Sequence, residues 1–215
     1  VNLTKNKNYH GVDALGNKLP FLDGVNIRFI KDKKTELFEF KKGNLDMVYR
    51  LPTEHIIEIL EQATSENGEF NNYEVQRDAE MNTNILGFQM NDPVFKNINV
   101  RKAFSFAIDR VKILEYVLNG EGYEAGIYGI TPPTFPSYDV KKIKGYQLNI
   151  DSANYYLTKA GFPNGKGFPN KSLDVNPGAE RNINVAIEVQ KQIKDNLNIE
   201  IEINRVPMAS HIENM

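Results

Sequence analysis

Cysteine is absent from the 215 residues, which excludes disulfide bonds, thiol nucleophiles and thiolate metal sites. An excess of charge is lacking too: the formal net charge is −2, so no bulk field draws the chain to nucleic acid or to an anionic membrane. No apolar run approaches the roughly 20 residues that span a bilayer. His10, His55 and His211 stand apart, with no H-E-x-x-H pair and no carboxylate at ligand spacing, so no metal centre is expected. A G-x-S-x-G nucleophile elbow is missing. Gly165-Lys166 lacks the rest of a Walker motif. Gly120, Gly122 and Gly126 follow a helical segment rather than a strand, which argues against a phosphate loop. No cofactor is implied.

What is present is a chain with 40% hydrophobic residues, enough for one large or two small cores. Its clearest element runs from Asn99 to Arg110. Val100, Ala103, Phe104, Ala107, Ile108 and Val111 recur at helical spacing and share one face. Asn99 is the expected acceptor for the first free amides, and Asp109 the expected cap of a second helix over 109–119, stopped by Asn119-Gly120. Further along, Asp151 is placed as the cap of a short helix ending at Ala160-Gly161. A strand is expected near 172–176, and Ile183, Ala186, Ile187, Gln190, Ile193 and Leu197 predict a long helix over about 179–196. Ile199, Ile201 and Ile203 alternate with polar residues as a half-exposed strand, which Pro207 ends. Ala209 to Met215 reads as the first turns of another helix.

The N-terminal third reads as strand, helix, strand, helix, strand. The strands are expected at 25–30, 46–51 and 73–77; one helix spans 33–42 and another begins at Thr53 and ends near Gly68. Such alternation predicts an α/β architecture with some parallel pairing. The texture changes after Met81. Residues 82–90 are expected to be extended, and 120–147, rich in Gly, Pro and Tyr, form an ordered loop. Both ends resemble the inside of an element, so the chain is expected to be an excised piece of a longer protein.

The same residues carry a resemblance. Val100 to Arg110 is similar to the "v-R-x-A-l-x-x-A-I-D-R" helix of the bacterial extracellular solute-binding proteins of ABC importers, the oligopeptide- and dipeptide-binding type. Met90-Asn91-Asp92-Pro93-Val94-Phe95 resembles the "N-x-x-x-x-P-F" turn before it. Phe40 to Asp46 is similar to "l-x-x-G-e-i-D", and Leu19 to Ile27 to "l-P-y-l-d-x-I-x-f". Tyr116 to Ala125 looks like "v-l-x-G-x-g-x-p-A", and Asp151 to Phe162 like "D-x-x-k-A-k-x-L-L-x-x-A-G-y". No one of these is specific; their order and spacing over most of the chain carry the likeness.

The resemblance implies parts of two α/β lobes of a hinged, type II periplasmic-binding-protein-like clamp, with 1–81 in the first lobe and 82–215 in the second. It implies a non-catalytic importer component that binds a peptide or other small solute between the lobes and delivers it to the transmembrane subunits of an ABC permease. Such a protein is extracytoplasmic, monomeric and peripheral to the membrane, with or without a lipid anchor. Its ligand positions map onto Ile85, Gly87 and Gln89 of the crossing segment, Tyr128 of the Gly-rich loop, Asn182, and Met208 after the last strand. Three have a plainer reading: Ile85 as core, Tyr128 as packing, Asn182 as an exposed helix residue. Tyrosines that relatives often carry near positions 80 and 85 are replaced here by Glu80 and Ile85. A hydrolase using its carboxylates, or an interaction module that kept the fold and lost its ligand, are the alternatives at this level.

Overall fold

The computed structural model describes residues 1–178 and 180–213. The chain divides into two compact units, Val1–Pro52 and Thr53–Met215. In the first, β1 (Asn2–Thr4) pairs antiparallel with β2 (Gly24–Asn26). Helix α1 (Lys33–Lys41) follows. Asp32 caps it by accepting from the Thr35 amide at 2.8 Å and the Thr35 hydroxyl at 2.6 Å. Gly43 at φ 74° lets the chain leave the helix through the left-handed region. Of α1's apolar residues only Leu37 is buried.

The second unit is built around three helices. After a short 3-10 turn at Thr53–His55 comes α2 (Ile56–Thr64). Next are α3 (Ile98–Ala107) and the single turn α4 (Arg110–Lys112), which runs into a π-helical turn over Ile113–Val117. Then follow α5 (Ile150–Lys159), β3 (Lys171–Val175), α6 (Glu180–Leu197), β4 (Ile201–Arg205) and α7 (Met208–Glu213). Strands β3 and β4 pair in parallel, Lys171 opposite Ile201 through Val175 opposite Arg205, with α6 as the crossover. The α/β expectation therefore holds, on β3-α6-β4 rather than on the N-terminal third.

Val100, Ala103, Phe104 and Ala107 of α3 meet Ala153 and Leu157 of α5 and Val189, Ile193 and Leu197 of α6 in one core. Alanines at 103, 107 and 153 are fully buried and let the helix backbones approach closely. Phe88, Phe95 and Phe168 close the core over Phe104 by ring contacts.

The end of α3 is buried, so its last carbonyls need partners. Four consecutive ones find them on three different segments. Arg110 donates to the Ser105 carbonyl at 2.9 Å and to that of Ile108 at 3.2 Å. The Asn149 amide donates to Phe106 at 2.9 Å, and the Asn196 side chain to Ala107 at 2.7 Å. Arg110 also reaches the Tyr146 carbonyl. Burial lowers the pKa of Arg110 from the ordinary arginine value, yet a guanidinium stays protonated in proteins. The buried Gln192 accepts from the Asp109 amide at 2.6 Å and donates to Glu188 at 2.8 Å, so both ends of its amide are satisfied.

Several local expectations are corrected. Helix α3 is capped by Asn97, which accepts from the Asn99 amide at 3.0 Å, so the cap lies two residues before the expected one. Helix α5 is capped by Asn149, accepting from the Ser152 amide, not by Asp151; Asp151 lies within the first turn, where a carboxylate still favours the helix dipole. Asp109 does cap α4, through the Lys112 amide. Thr53 does not cap α2; its hydroxyl is committed to Glu121. Neither 46–51 nor 73–77 forms a strand, and β2 stops at Asn26. The buried face of α6 is Ala186, Val189, Gln192, Ile193 and Leu197, with Ile187 turned outward. The last two positions of the expected C-terminal helix, Asn214 and Met215, lie outside the described residues.

This packing can be tested at two points. Asn196→Ala leaves the Ala107 carbonyl without its donor and is expected to cost about 2 kcal/mol in urea unfolding; a change within a few tenths would contradict the cap. The turn before α3 is tied to β3 by an ion pair between Asp92 and Lys171, whose side chains are 22% and 20% exposed. The hydrogen bond from Lys171, aided by the Val94 and Phe95 amides, holds the Asp92 carboxyl below the usual carboxylate range. A lowered folded-state pKa adds stability above the unfolded value of about 4, and that stability is lost as pH falls through the folded value. Asp92→Asn is thus expected to lower Tm at pH 7 and to flatten the decline of Tm from neutral pH towards acid. An equally steep decline in the variant would contradict it.

Candidate functional site

In α/β folds the carboxyl ends of parallel strands are where side chains converge outside the sheet. Here β3 ends at Val175 and the next residue, Asn176, gathers three partners. Its side-chain carbonyl accepts from the Gly178 amide at 2.6 Å, fixing the Asn176-Pro177-Gly178 turn. Its side-chain amide contacts the Met208 thioether. Its backbone carbonyl accepts from the Asn182 side chain at 3.3 Å. Two sequence candidates, Asn182 at the start of α6 and Met208 after β4, are therefore brought to one place, and both are exposed. Neighbouring Val206 extends the pairing by donating to the Val175 carbonyl at 2.9 Å. Asn204 reaches Asp174 across the strands.

The crossing segment is a second group. Residues 82–89 join no helix or sheet. Phe88 anchors them inward, its ring 5.2 Å from that of Phe95 and 6.0 Å from that of Phe104. Ile85, Gly87 and Gln89 are all exposed. Ile85 is 66% exposed, so it is not a core residue of this chain. Nothing lies within 4 Å of where a Cβ on Gly87 would stand, which leaves that stretch of backbone approachable.

Tyr128 lies elsewhere. With Phe106, Ile127, Ile143 and Leu148 it lines a shallow depression that none of the other five candidates borders. The six residues thus fall into three groups, and the described contacts unite only Asn182 with Met208. Sequence reasoning missed Asn176, although an Asn-Pro-Gly turn directly after a strand joined by a helical crossover is a readable signal for it. Among the described residues no three His, Cys, Asp or Glu side chains are grouped to hold a metal ion. Glu188, on the face of α6 towards Lys112, is pushed up by burial, but hydrogen bonds from Gln192 and Lys112 outweigh this and leave its pKa below the ordinary value. It serves packing, 2.9 Å from the Lys112 ammonium.

The fold matches part of the α/β lobes of periplasmic binding proteins. It matches the Helicobacter pylori ABC transporter-associated periplasmic binding protein DppA, solved in complex with the peptide STSA. The TM-score is 0.76 at 21% identity, over 98% of this chain and 37% of that one. The chain belongs to the bacterial extracellular solute-binding proteins, family 5 (Middle), whose family model matches residues 1–214. Among its relatives, the oligopeptide-binding protein AppA of Bacillus subtilis is 26% identical over 208 residues, covering 91% of this chain and 36% of AppA. The heme-binding protein A of Haemophilus influenzae is 26% identical over 152 residues, 67% of this chain and 24% of that protein. The chain thus spans about a quarter to a little over a third of the length of these relatives. These relatives are binding proteins by name. No helix among the described residues is long and apolar enough to cross a membrane.

If Asn176 organises the strand end, Asn176→Ala frees the Gly178 amide. Its hydrogen exchange is expected to speed up about tenfold, the loss of one good hydrogen bond, with little change in the α3–α5 core. Unaltered protection at Gly178 would contradict the assigned role.

Proposed function

We propose that this chain is part of the solute-binding component of an ABC importer, with peptide as the ligand class. The observation that carries this reading is the family match along residues 1–214. The peptide assignment is supported by relatives named for oligopeptide binding and by a structural neighbour holding a peptide.

In this reading residues 1–81 belong to one lobe and 82–215 to the other, and the ligand lies between them. A carrier of varied peptides has to grip what all peptides share, their backbone amides and carbonyls, and strand addition is the physical means. The 82–89 segment suits that role: it is held from one side by Phe88, lies outside any sheet, and is open at Gly87. Ile85 and Gln89 would flank the peptide, Asn182 and Met208 would meet it from the ends of β3 and β4, and Tyr128 would border the cleft. Met208 offers an adaptable apolar contact that tolerates different side chains. Open and closed forms interconvert, and a ligand touching both lobes favours the closed one. The transmembrane subunits of the permease then recognise that form at the cell surface or in the periplasm. The chemistry is binding and release, with no bond broken.

Calorimetric titration of the protein at its natural length with free-amine tetrapeptides is expected to give micromolar or tighter binding, while the 215-residue chain alone gives no heat at micromolar concentration. Absence of binding at natural length, with the fold intact, would favour an interaction module. Hydrolysis of the peptides, abolished by changing one carboxylate, would replace this reading with an enzymatic one.

A further inference from the structure

The turn Asn119–Gly120–Glu121 is the place where segments far apart in sequence are drawn together. The Asn119 side chain donates to the Thr53 carbonyl at 2.9 Å. The Gly120 carbonyl accepts from Arg77 at 3.0 Å. Glu121 accepts from the Thr53 hydroxyl at 2.5 Å with one oxygen and from Arg181 at 2.6 Å with the other. Glu121 and Arg181 are mostly buried, 18% and 26% exposed, so this pair is screened less than a surface one. The approach to the turn is also unusual. The π-helical turn at Ile113–Val117 widens the helix, with the Leu118 amide bonded five residues back to Ile113. Asn119 and Gly120 then follow at φ 47° and 72°. A π turn and a left-handed asparagine each cost free energy, which the contacts of the turn offset.

Three of these four bonds join Thr53 or Arg77 to residues 119–121. They lie inside the compact unit Thr53–Met215 and cross position 81/82, where the proposed lobes meet, so in the proposed reading that unit is the second lobe with part of the first held against it. We propose that the 119–121 turn is an interlobe latch: it holds the 53–81 stretch of the first lobe against the second in the closed form and releases it on opening. The idea rests on the two-lobe reading above and adds to it the residues that set the closing equilibrium. Glu121 is the centre, since its two oxygens serve both sides: Thr53 of the first lobe, and Arg181, which belongs to the second and orients the carboxylate. Asn119 and Arg77 add bonds that do not depend on its charge.

The test uses the protein at its natural length with spin labels at Ile57→Cys on α2 and Thr158→Cys on α5, both exposed sites, in a stretch without native cysteine. Thr53→Val and Glu121→Gln are expected to lengthen the label-to-label distance in the ligand-free protein. They should also weaken tetrapeptide binding about tenfold, as a shifted closing equilibrium requires. Pairing Glu121→Arg with Arg181→Glu is expected to restore part of both. If Glu121→Gln fails to fold, Thr53→Val, which removes one hydroxyl, still decides. Unchanged distances in the folded variants overturn the latch, even where Tm falls, because that is what a purely structural contact gives. If the parent protein binds no peptide, the ligand assignment fails while the distances still judge the latch.

Discussion

The second unit depends on how it finishes α3. A helix ending in the interior strands its last carbonyls away from water, and each such group left alone would cost about 1–3 kcal/mol. Here the carbonyls from Ser105 to Ile108 are met in turn by Arg110, Asn149 and Asn196. Those donors come from the start of α4, the start of α5 and the end of α6. Satisfying one helix end therefore fixes where three other segments lie. The apolar core supplies the driving force, and the polar collar around the end of α3 supplies the geometry.

That collar also explains what is legible in the sequence. Helices announce themselves locally: the 3.6-residue period places α1, α3, α5 and α6 within a few residues, and Asn or Asp near the starts of α3 and α5 marks where they begin. The caps of α3 and α5 sit two positions earlier than expected because Asn97 and Asn149 compete with Asn99 and Asp151. Only the packed geometry decides which backbone is extended and which helical. Strands are less legible, since an apolar alternation forms a strand only where a partner edge exists. Residues 171–175 and 201–205 have each other and a helix of the right length between them. Residues 46–51 and 73–77 pair with no strand among the described residues, and they run without regular structure.

The candidate site is legible in proportion to its locality. Residues 85, 87 and 89 share one short segment and its exposure, with Phe88 as its inward anchor. Asn182 and Met208 both reach Asn176 only because β3 and β4 end side by side, and Asn176 carries no signal except the turn it opens after a strand. The bonds around Glu121 span 60 to 68 positions and leave no periodic trace at all. Family likeness reaches the fold and the binding class, but the long-range polar contacts need coordinates.

Gln192 has a consequence for how α6 can vary. One end of its amide is tied to the backbone of Asp109 and the other to Glu188, one turn earlier on the same helix. A single inserted residue upstream would turn this side chain about 100°, and a slide of α6 by one residue would carry it about 1.5 Å along the axis; either takes the buried carboxamide away from the Asp109 amide and from Glu188. An apolar stripe alone tolerates small rotations, because one methyl is much like another. The glutamine removes that tolerance and gives the crossover a single register, so the two strand ends it joins are delivered to the same spot each time the chain folds.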